Sequence, residues 1–214
     1  MKEPRIPIAL EGYPFIGFAV FITVIVAILG FKIAAFSSLV LTAFILYFFR
    51  DPERISPDDP DVVVAPADGR VILIEELFDD RFLKEYVYKV SIFMNVFNVH
   101  VNRAAFTGSV SGISYRSGRF YSANTDRGAL ENEANAVMMT TDSGRRMAMV
   151  QVAGLIAQRI VCWVVKGDRL ERGQRFGLIR FGSRVDLYLP RQAQIEITVG
   201  QRVRAGETVL GYLS

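Results

Sequence analysis

A chain of 214 residues, 51% of them hydrophobic and carrying a formal charge of +3, has room for one or two domains. Its single His and single Cys exclude a multi-histidine zinc centre and an internal disulfide framework. With no basic block, recognition helix or aromatic stacking pattern, it is not a nucleic-acid binder; its mostly arginine cations suit phosphate and carboxylate at an anionic lipid surface, or simply a solvated exterior.

The apolar residues crowd toward the N-terminus. No charged residue occurs from Gly12 to Phe31, and after Lys32 the run Ile33 to Phe49 is again uncharged. About 20 apolar residues cross a bilayer as a helix, so residues 1–52 are expected to form a two-helix transmembrane hairpin with a tight turn at Gly30-Phe31-Lys32. A cleaved signal peptide is disfavoured by the second apolar run, whereas a re-entrant or surface-lying hairpin fits Pro14 and the shorter second run. Lys2 and Arg5 before the pair, and Arg50 and Arg54 after it, outweigh Lys32 in the turn, which puts the remainder of the chain on the cytoplasmic side of the inner membrane.

Residues 53–60, with Pro57 and Pro60 among charges, read as a juxtamembrane linker. From residue 61 to 214 the pattern is of short strands: Val62–Ala65, Gly69–Ile74, Tyr86–Met94, Gly108–Tyr115, Ala136–Thr141, Arg146–Val152, Arg159–Val165, Phe176–Phe181, Val185–Leu189 and Gln194–Val199. The fold expected is therefore mainly β. Within it, Val165–Phe176 matches Thr198–Val209, setting Gly167 over Gly200, Leu170 over Val203, Gly173 over Gly206 and Phe176 over Val209. Strand, turn glycine, apolar step and second glycine suit a barrel-sandwich-hybrid-like β domain, whose opening strand and turn Ala65-Pro-Ala-Asp-Gly-Arg-Val71 resembles.

Few residues offer chemistry. His100 lies in Phe93-Met-Asn-Val-Phe-Asn-Val-His-Val-Asn-Arg103, where alternation turns it away from Val99 and Val101; by itself it is an ordinary polar strand residue. Asp68 precedes Gly69 as turn aspartates do, Ser183 follows Gly182 as small residues at bulges do, and Cys162 reads as a core thiol. Together, Ser183, His100 and Asp68 are the sparse set that supplies nucleophile, base and orienting carboxylate.

Longer motifs are more specific. Tyr47-Phe-Phe-Arg-Asp-Pro-Glu-Arg54, Pro66-Ala-Asp-Gly69, Val99-His-Val-Asn-Arg103, Glu131-Asn-Glu133, Gly154-Leu-Ile-Ala-Gln-Arg-Ile160 and Arg175-Phe-Gly-Leu-Ile-Arg-Phe-Gly-Ser-Arg184 resemble the pyruvoyl-dependent phosphatidylserine decarboxylase family, short form, over nearly the whole chain. The resemblance implies a proenzyme that cuts itself between Gly182 and Ser183, leaving a large chain and a small chain of residues 183–214. It implies a pyruvoyl group made from Ser183, no metal or added cofactor, and phosphatidylserine in the membrane as substrate, with phosphatidylethanolamine and carbon dioxide as products. It makes His100 a base, Asp68 its orienting carboxylate, and Asn102, Arg103 and Arg116 substrate contacts. Many relatives carry an acid where this chain has Asn98, and some larger ones a second histidine where it has Asn102-Arg103, so His100 is left to serve both stages.

Two alternatives stay open: decarboxylation of another phosphoserine lipid of archaeal type, and a non-catalytic membrane-tethered β-hybrid binding module. Oligomeric state is not written in the sequence.

Overall fold

The computed structural model describes residues 7–123, 125–154, 159–180 and 183–213. Two compact units divide the chain, Met1–Glu53 and Arg54–Ser214.

The first unit is helical. A 3-10 turn at Leu10–Gly12 leads into α1 (Tyr13–Ile28), with Pro14 in its first turn where no backbone donor is needed, and α2 (Lys32–Phe48) follows. Gly30 makes the reversal at φ 78°, a left-handed conformation that glycine adopts without strain. The helices lie side by side, with the hydroxyls of Thr23 and Thr42 3.0 Å apart. Leu10–Ile28 is long and apolar enough to cross a membrane, and Lys32–Phe48 is shorter.

The second unit is mainly β. Its strands are β1 (Val62–Val64), β2 (Gly69–Asp79), β3 (Glu85–Met94), β4 (Val101–Arg103), β5 (Gly108–Arg116), β6 (Ala134–Thr140), β7 (Arg146–Ala153), β8 (Ile160–Cys162), β9 (Arg169–Leu170), β10 (Arg175–Ile179), β11 (Ser183–Pro190), β12 (Gln194–Ile195), β13 (Arg202–Val203) and β14 (Val209–Tyr212). An eight-stranded sheet runs β13-β2-β3-β11-β7-β6-β5-β9, and two three-stranded sheets run β1-β14-β12 and β4-β10-β8. Every pairing in them is antiparallel.

That order is a duplication. Exchanging β2 with β5, β3 with β6, β11 with β7 and β13 with β9 reverses the large sheet onto itself, and the same exchange carries one small sheet onto the other. The backbone repeats in detail: Gly167 N–H donates to Val110 O at 2.9 Å and Gly200 N–H to Val71 O at 2.8 Å; Gly173 N–H donates to Ala104 O and Gly206 N–H to Ala65 O, both at 2.8 Å. Gly167 and Gly200 have φ 99° and 93°, Gly173 and Gly206 both 76°. The sequence repeat is thus one half of a longer one, in which Val62–Val71 also matches Val101–Val110.

Strand alternation gives the large sheet two apolar faces. Val185, Leu187 and Leu189 of β11 pack into the main core with Val90, Ile92, Met94, Val137, Met149 and Ala153, while Tyr188 faces a smaller cluster with Val87, Ala134, Ala148, Val150 and Val152. Differences from the sequence expectation are local. β2 runs on to Asp79 because its ladder with β3 continues to Asp79↔Glu85, where the Asp79 carboxylate accepts the N–H groups of Arg81, Phe82 and Leu83. The short helix α3 (Asp126–Glu131), capped by the Thr125 hydroxyl, has too few turns for an apolar periodicity to show.

Residues 54–60 carry no regular element and bind the two repeat turns. Ser56 Oγ donates to Gly206 O at 2.7 Å, and a Cβ on Gly173 would stand 2.1 Å from that hydroxyl oxygen. Arg172 donates to the carbonyls of Pro57, Asp59 and Val62.

Candidate active site

Ser183 opens β11 and is fully buried. Across the sheet it stands opposite Met94 on β3 and Ala153 on β7, both members of the main core, so its side chain points to that face. Its Oγ donates to Met94 Sδ at 3.5 Å. Thioether sulfur is a weak acceptor, so the hydroxyl is positioned without being firmly held. Gly182, the other half of the expected cut bond, lies outside the described residues.

Asn102 reaches the same sulfur, its Nδ2 standing 3.7 Å from Met94 Sδ. Behind it runs a line of buried amides. Gln151 Nε2 donates to Asn102 Oδ1 at 2.9 Å, and Asn135 Nδ2 donates to Gln151 Oε1 at 3.1 Å. Asn102 and Gln151 are fully buried and Asn135 nearly so.

His100 lies fully buried just before β4, and its neighbours Val99 and Val101 are buried as well. Its backbone carbonyl accepts the Ile179 N–H at 3.3 Å, which sets it beside the end of β10, the strand leading to residue 183. Its Nδ1 lies 3.0 Å from Asn98 O. A carbonyl can only accept, so Nδ1 carries a proton and donates it to Asn98 O. Asn98 contributes its main chain to this contact.

Asp68 occupies a different set of bonds. Oδ1 accepts the Ala205 N–H at 2.8 Å, and Oδ2 pairs with Arg54 at 3.1 Å, both side chains being 10% exposed. Arg54 also reaches Glu207 at 2.8 Å. In the other copy of the repeat, Thr107 stands where Asp68 does, and its hydroxyl accepts the Arg172 N–H at 3.1 Å. The turn thus requires an oxygen at this position and has no need of a charge.

Arg103 is buried beside this cluster. Its N–H donates to Pro66 O and its NH1 to Gly173 O, each at 2.9 Å, while a Cβ on Gly206 would come 3.1 Å from its Cδ. Arg116 is placed elsewhere. It pairs with Ala134, which pairs with Val152, which pairs with Arg184, and that row faces away from Ser183. There it lines a cavity of about 310 Å³ with Arg81, Lys84, Tyr188 and Asp186, over a floor of Ala134, Ala136, Val150 and Val152. Burial, and secondly Arg81, pull the Arg116 guanidinium below its ordinary value; burial, and then Asp186, push the Tyr188 phenol up. Arg116 therefore belongs to the sheet face opposite Ser183.

The family model for phosphatidylserine decarboxylase matches residues 41–211. The chain belongs to the phosphatidylserine decarboxylase family. It is 54% identical to a phosphatidylserine decarboxylase proenzyme of Desulfotalea psychrophila and 50% identical to one of Syntrophotalea carbinolica, with all of both chains covered in each case. A proenzyme of the same name from Geobacter sulfurreducens is 47% identical, again over all of both chains.

The sequence singles out Ser183, His100, Asp68, Asn102 and Arg103, but not the contacts of Gln151, Asn135, Met94 and Arg54, which join distant segments. Gln151 did leave a signal: it is the one polar residue of the run Met147-Ala-Met-Val-Gln-Val-Ala153, at a position in phase with Met149. Arg54 ends the run Tyr47–Arg54 as one more flanking cation, and nothing beside it in sequence tells of its pairing with Asp68.

Proposed function

We propose that this chain decarboxylates phosphatidylserine to phosphatidylethanolamine and carbon dioxide, through a pyruvoyl group that it makes from Ser183 by cutting its own Gly182–Ser183 bond. The observation that carries the reading is the placement of Ser183: fully buried at the first position of β11, with a weak acceptor for its hydroxyl, in a chain similar along its whole length to proenzymes of that name.

The residues present fit such a group, because Ser183 supplies its atoms and its hydroxyl rests on the uncharged thioether of Met94, which the Asn102 amide also reaches. In self-cleavage, Ser183 Oγ bonds to the Gly182 carbonyl carbon while its proton passes to His100 Nε2. The C–N bond then breaks as that proton reaches the departing nitrogen, leaving an ester. Removal of the Cα proton of residue 183 expels the Gly182 carboxylate, and water replaces the resulting enamine nitrogen, which departs as ammonia. When present, the pyruvoyl group supplies an electron sink for the substrate's amine-bearing carbon. The Asn98 carbonyl keeps a proton on Nδ1 of His100, which assigns the part of base to Nε2. Asp68 acts as the carboxylate that favours the charged imidazole, and Arg103 as the cation for the substrate's anionic groups.

The reading extends to the architecture. Each half of the duplicated β unit is a barrel-sandwich-hybrid-like element, residues 61–214 form the catalytic domain, and the helical hairpin sits in the inner membrane with the β unit on the cytoplasmic side. Basic residues on both flanks of the hairpin support that orientation. A diacyl lipid leaves a bilayer at about 0.8 kcal/mol per exposed methylene, so the enzyme must come to its substrate.

Denaturing mass spectrometry of the full chain expressed in membranes tests the proposal. Two fragments are expected, the smaller being residues 183–214 with pyruvoyl replacing serine. An intact chain in a membrane that decarboxylates phosphatidylserine, or a Ser183→Ala chain that remains active, overturns it.

A further inference from the structure

We propose that Gln151 and Asn135 are positioning residues that turn the Asn102 amide so that its N–H group serves as the hydrogen-bond donor to the oxyanion formed at Gly182 during self-cleavage. The inference rests on the proposed role of Ser183 and adds the group that stabilises the charge.

Direction is the core of the argument. An amide side chain offers a donor end and an acceptor end, and each link in the chain fixes the next. Asn135 gives an N–H to Gln151 Oε1, so Gln151 must present Nε2 to Asn102; that Nε2 donates to Asn102 Oδ1, so Asn102 must present Nδ2 forward. Turning any one amide over would set two donors or two acceptors against each other in a fully buried place. The forward end of Asn102 therefore faces Met94 Sδ, the atom on which the Ser183 hydroxyl also rests. Sulfur is a poor partner for an amide N–H. A carbonyl oxygen gaining a full charge, on the carbon bonded directly to Ser183 N, is a far better one.

The backbone is arranged to let the chain through. Asn135, Gln151 and Val185 form one row across β6, β7 and β11, on the core side of the sheet. The Gln151 side chain crosses from that sheet to β4 past Gly177, where an added Cβ would lie 2.8 Å from Gln151 Nε2. Glycine at 177 is thus the opening through which the amide passes.

The duplication supplies an internal comparison. The position of Asn102 in the second copy is held in the first by Val63, on β1, fully buried. The fold at this point asks for a buried side chain and is content with an apolar one, so the amide and the two that orient it are present for another purpose.

A full-length chain translated into lipid vesicles, followed by the appearance of the 183–214 fragment over time, tests the idea. Asn102→Asp removes the donor with little change in shape, and cleavage is expected to slow at least 100-fold. Gln151→Glu distinguishes positioning from packing. While protonated, the buried carboxyl can still donate to Asn102 Oδ1; once ionised it cannot, and burial raises the pH at which this happens. The rate relative to wild type is therefore expected near unity at pH 6 and at least tenfold lower at pH 9. A ratio that stays flat across this range, or an Asn102→Asp chain cleaving within threefold of wild type, overturns the proposal. If Gln151→Glu does not fold, Asn135→Asp takes its place, since it removes the donor that orients Gln151; a tenfold slower cut is expected and an unchanged one overturns the proposal. A wild-type chain that never yields the fragment instead overturns the role of Ser183 itself.

Discussion

Asp68→Thr separates a charge from a turn. Thr107 shows that a hydroxyl suffices for the N–H that Asp68 Oδ1 accepts, so Thr at 68 is expected to keep that bond while losing the pair with Arg54. Arg54 retains Glu207 and is not stranded, which limits the loss to about 2 kcal/mol; Asp68→Ala forfeits the turn bond as well, at about 3 kcal/mol. Read as thermal midpoints in a Ser183→Ala background, which keeps every chain uncut, these are drops of about 4–8 °C and 6–12 °C. Self-cleavage measures the charge separately. The Arg103 N–H bond to Pro66 O ties the segments of Asp68 and His100 together and sets the two side chains about 10–20 Å apart. At an effective dielectric of about 20, one unit charge over that span favours the imidazolium by about 0.8–1.7 kcal/mol. Fragment 183–214 is thus expected to form roughly 4- to 17-fold more slowly in Asp68→Thr. A Thr chain that cleaves at the wild-type rate would show the carboxylate to be structural alone, and one as unstable as Asp68→Ala would refute the equivalence with Thr107.

Other outcomes follow from the same geometry. His100→Ala is expected to slow self-cleavage at least 100-fold, the scale of a lost general base; normal cleavage with decarboxylation abolished would confine His100 to the second stage. Arg116→Gln, altered on the far face of the sheet, should leave the cleavage rate within twofold, and a larger change would mean that the outer cavity communicates with Ser183. Gly206→Ala places a Cβ at φ 76° and 3.1 Å from Arg103 Cδ, which is expected to cost about 1–2 kcal/mol and to lower the midpoint of uncut protein by about 2–8 °C; an unchanged midpoint would show that Arg103 yields freely.

Much of this arrangement could be read from local pattern. Apolar runs delimit both helices, alternation marks the strands, and the paired glycines 167/200 and 173/206 announce a repeat whose turns do share their backbone angles. Chemistry-bearing residues could be named because there were so few. What remained hidden depends on partners far apart in sequence. Alternation says that Gln151 faces the core, but nothing nearby says that Asn135 lies to one side of it and Asn102 beyond. Asp68 reads as half of a pair with His100, yet its oxygens are taken by Arg54 and by a backbone N–H from a turn 137 residues away. The first half of the duplication is faint in sequence because Val63 and Val64 stand where the second half has Asn102 and Arg103.

The place of β11 in the large sheet bears on what a cut at its first residue leaves behind. All eight of its residues pair with β3 on one edge, and Ser183 to Tyr188 pair with β7 on the other; farther along the small chain, β13 pairs with β2 and β14 with β1. A fragment made by the proposed cut would therefore be an interior stave of a barrel-like wall, unable to depart unless the wall came apart. Severance frees a chain end without freeing a subunit. Once denatured, two such pieces would have to find each other by collision, so a protein cut there would owe its persistence to slow unravelling rather than to a reversible equilibrium.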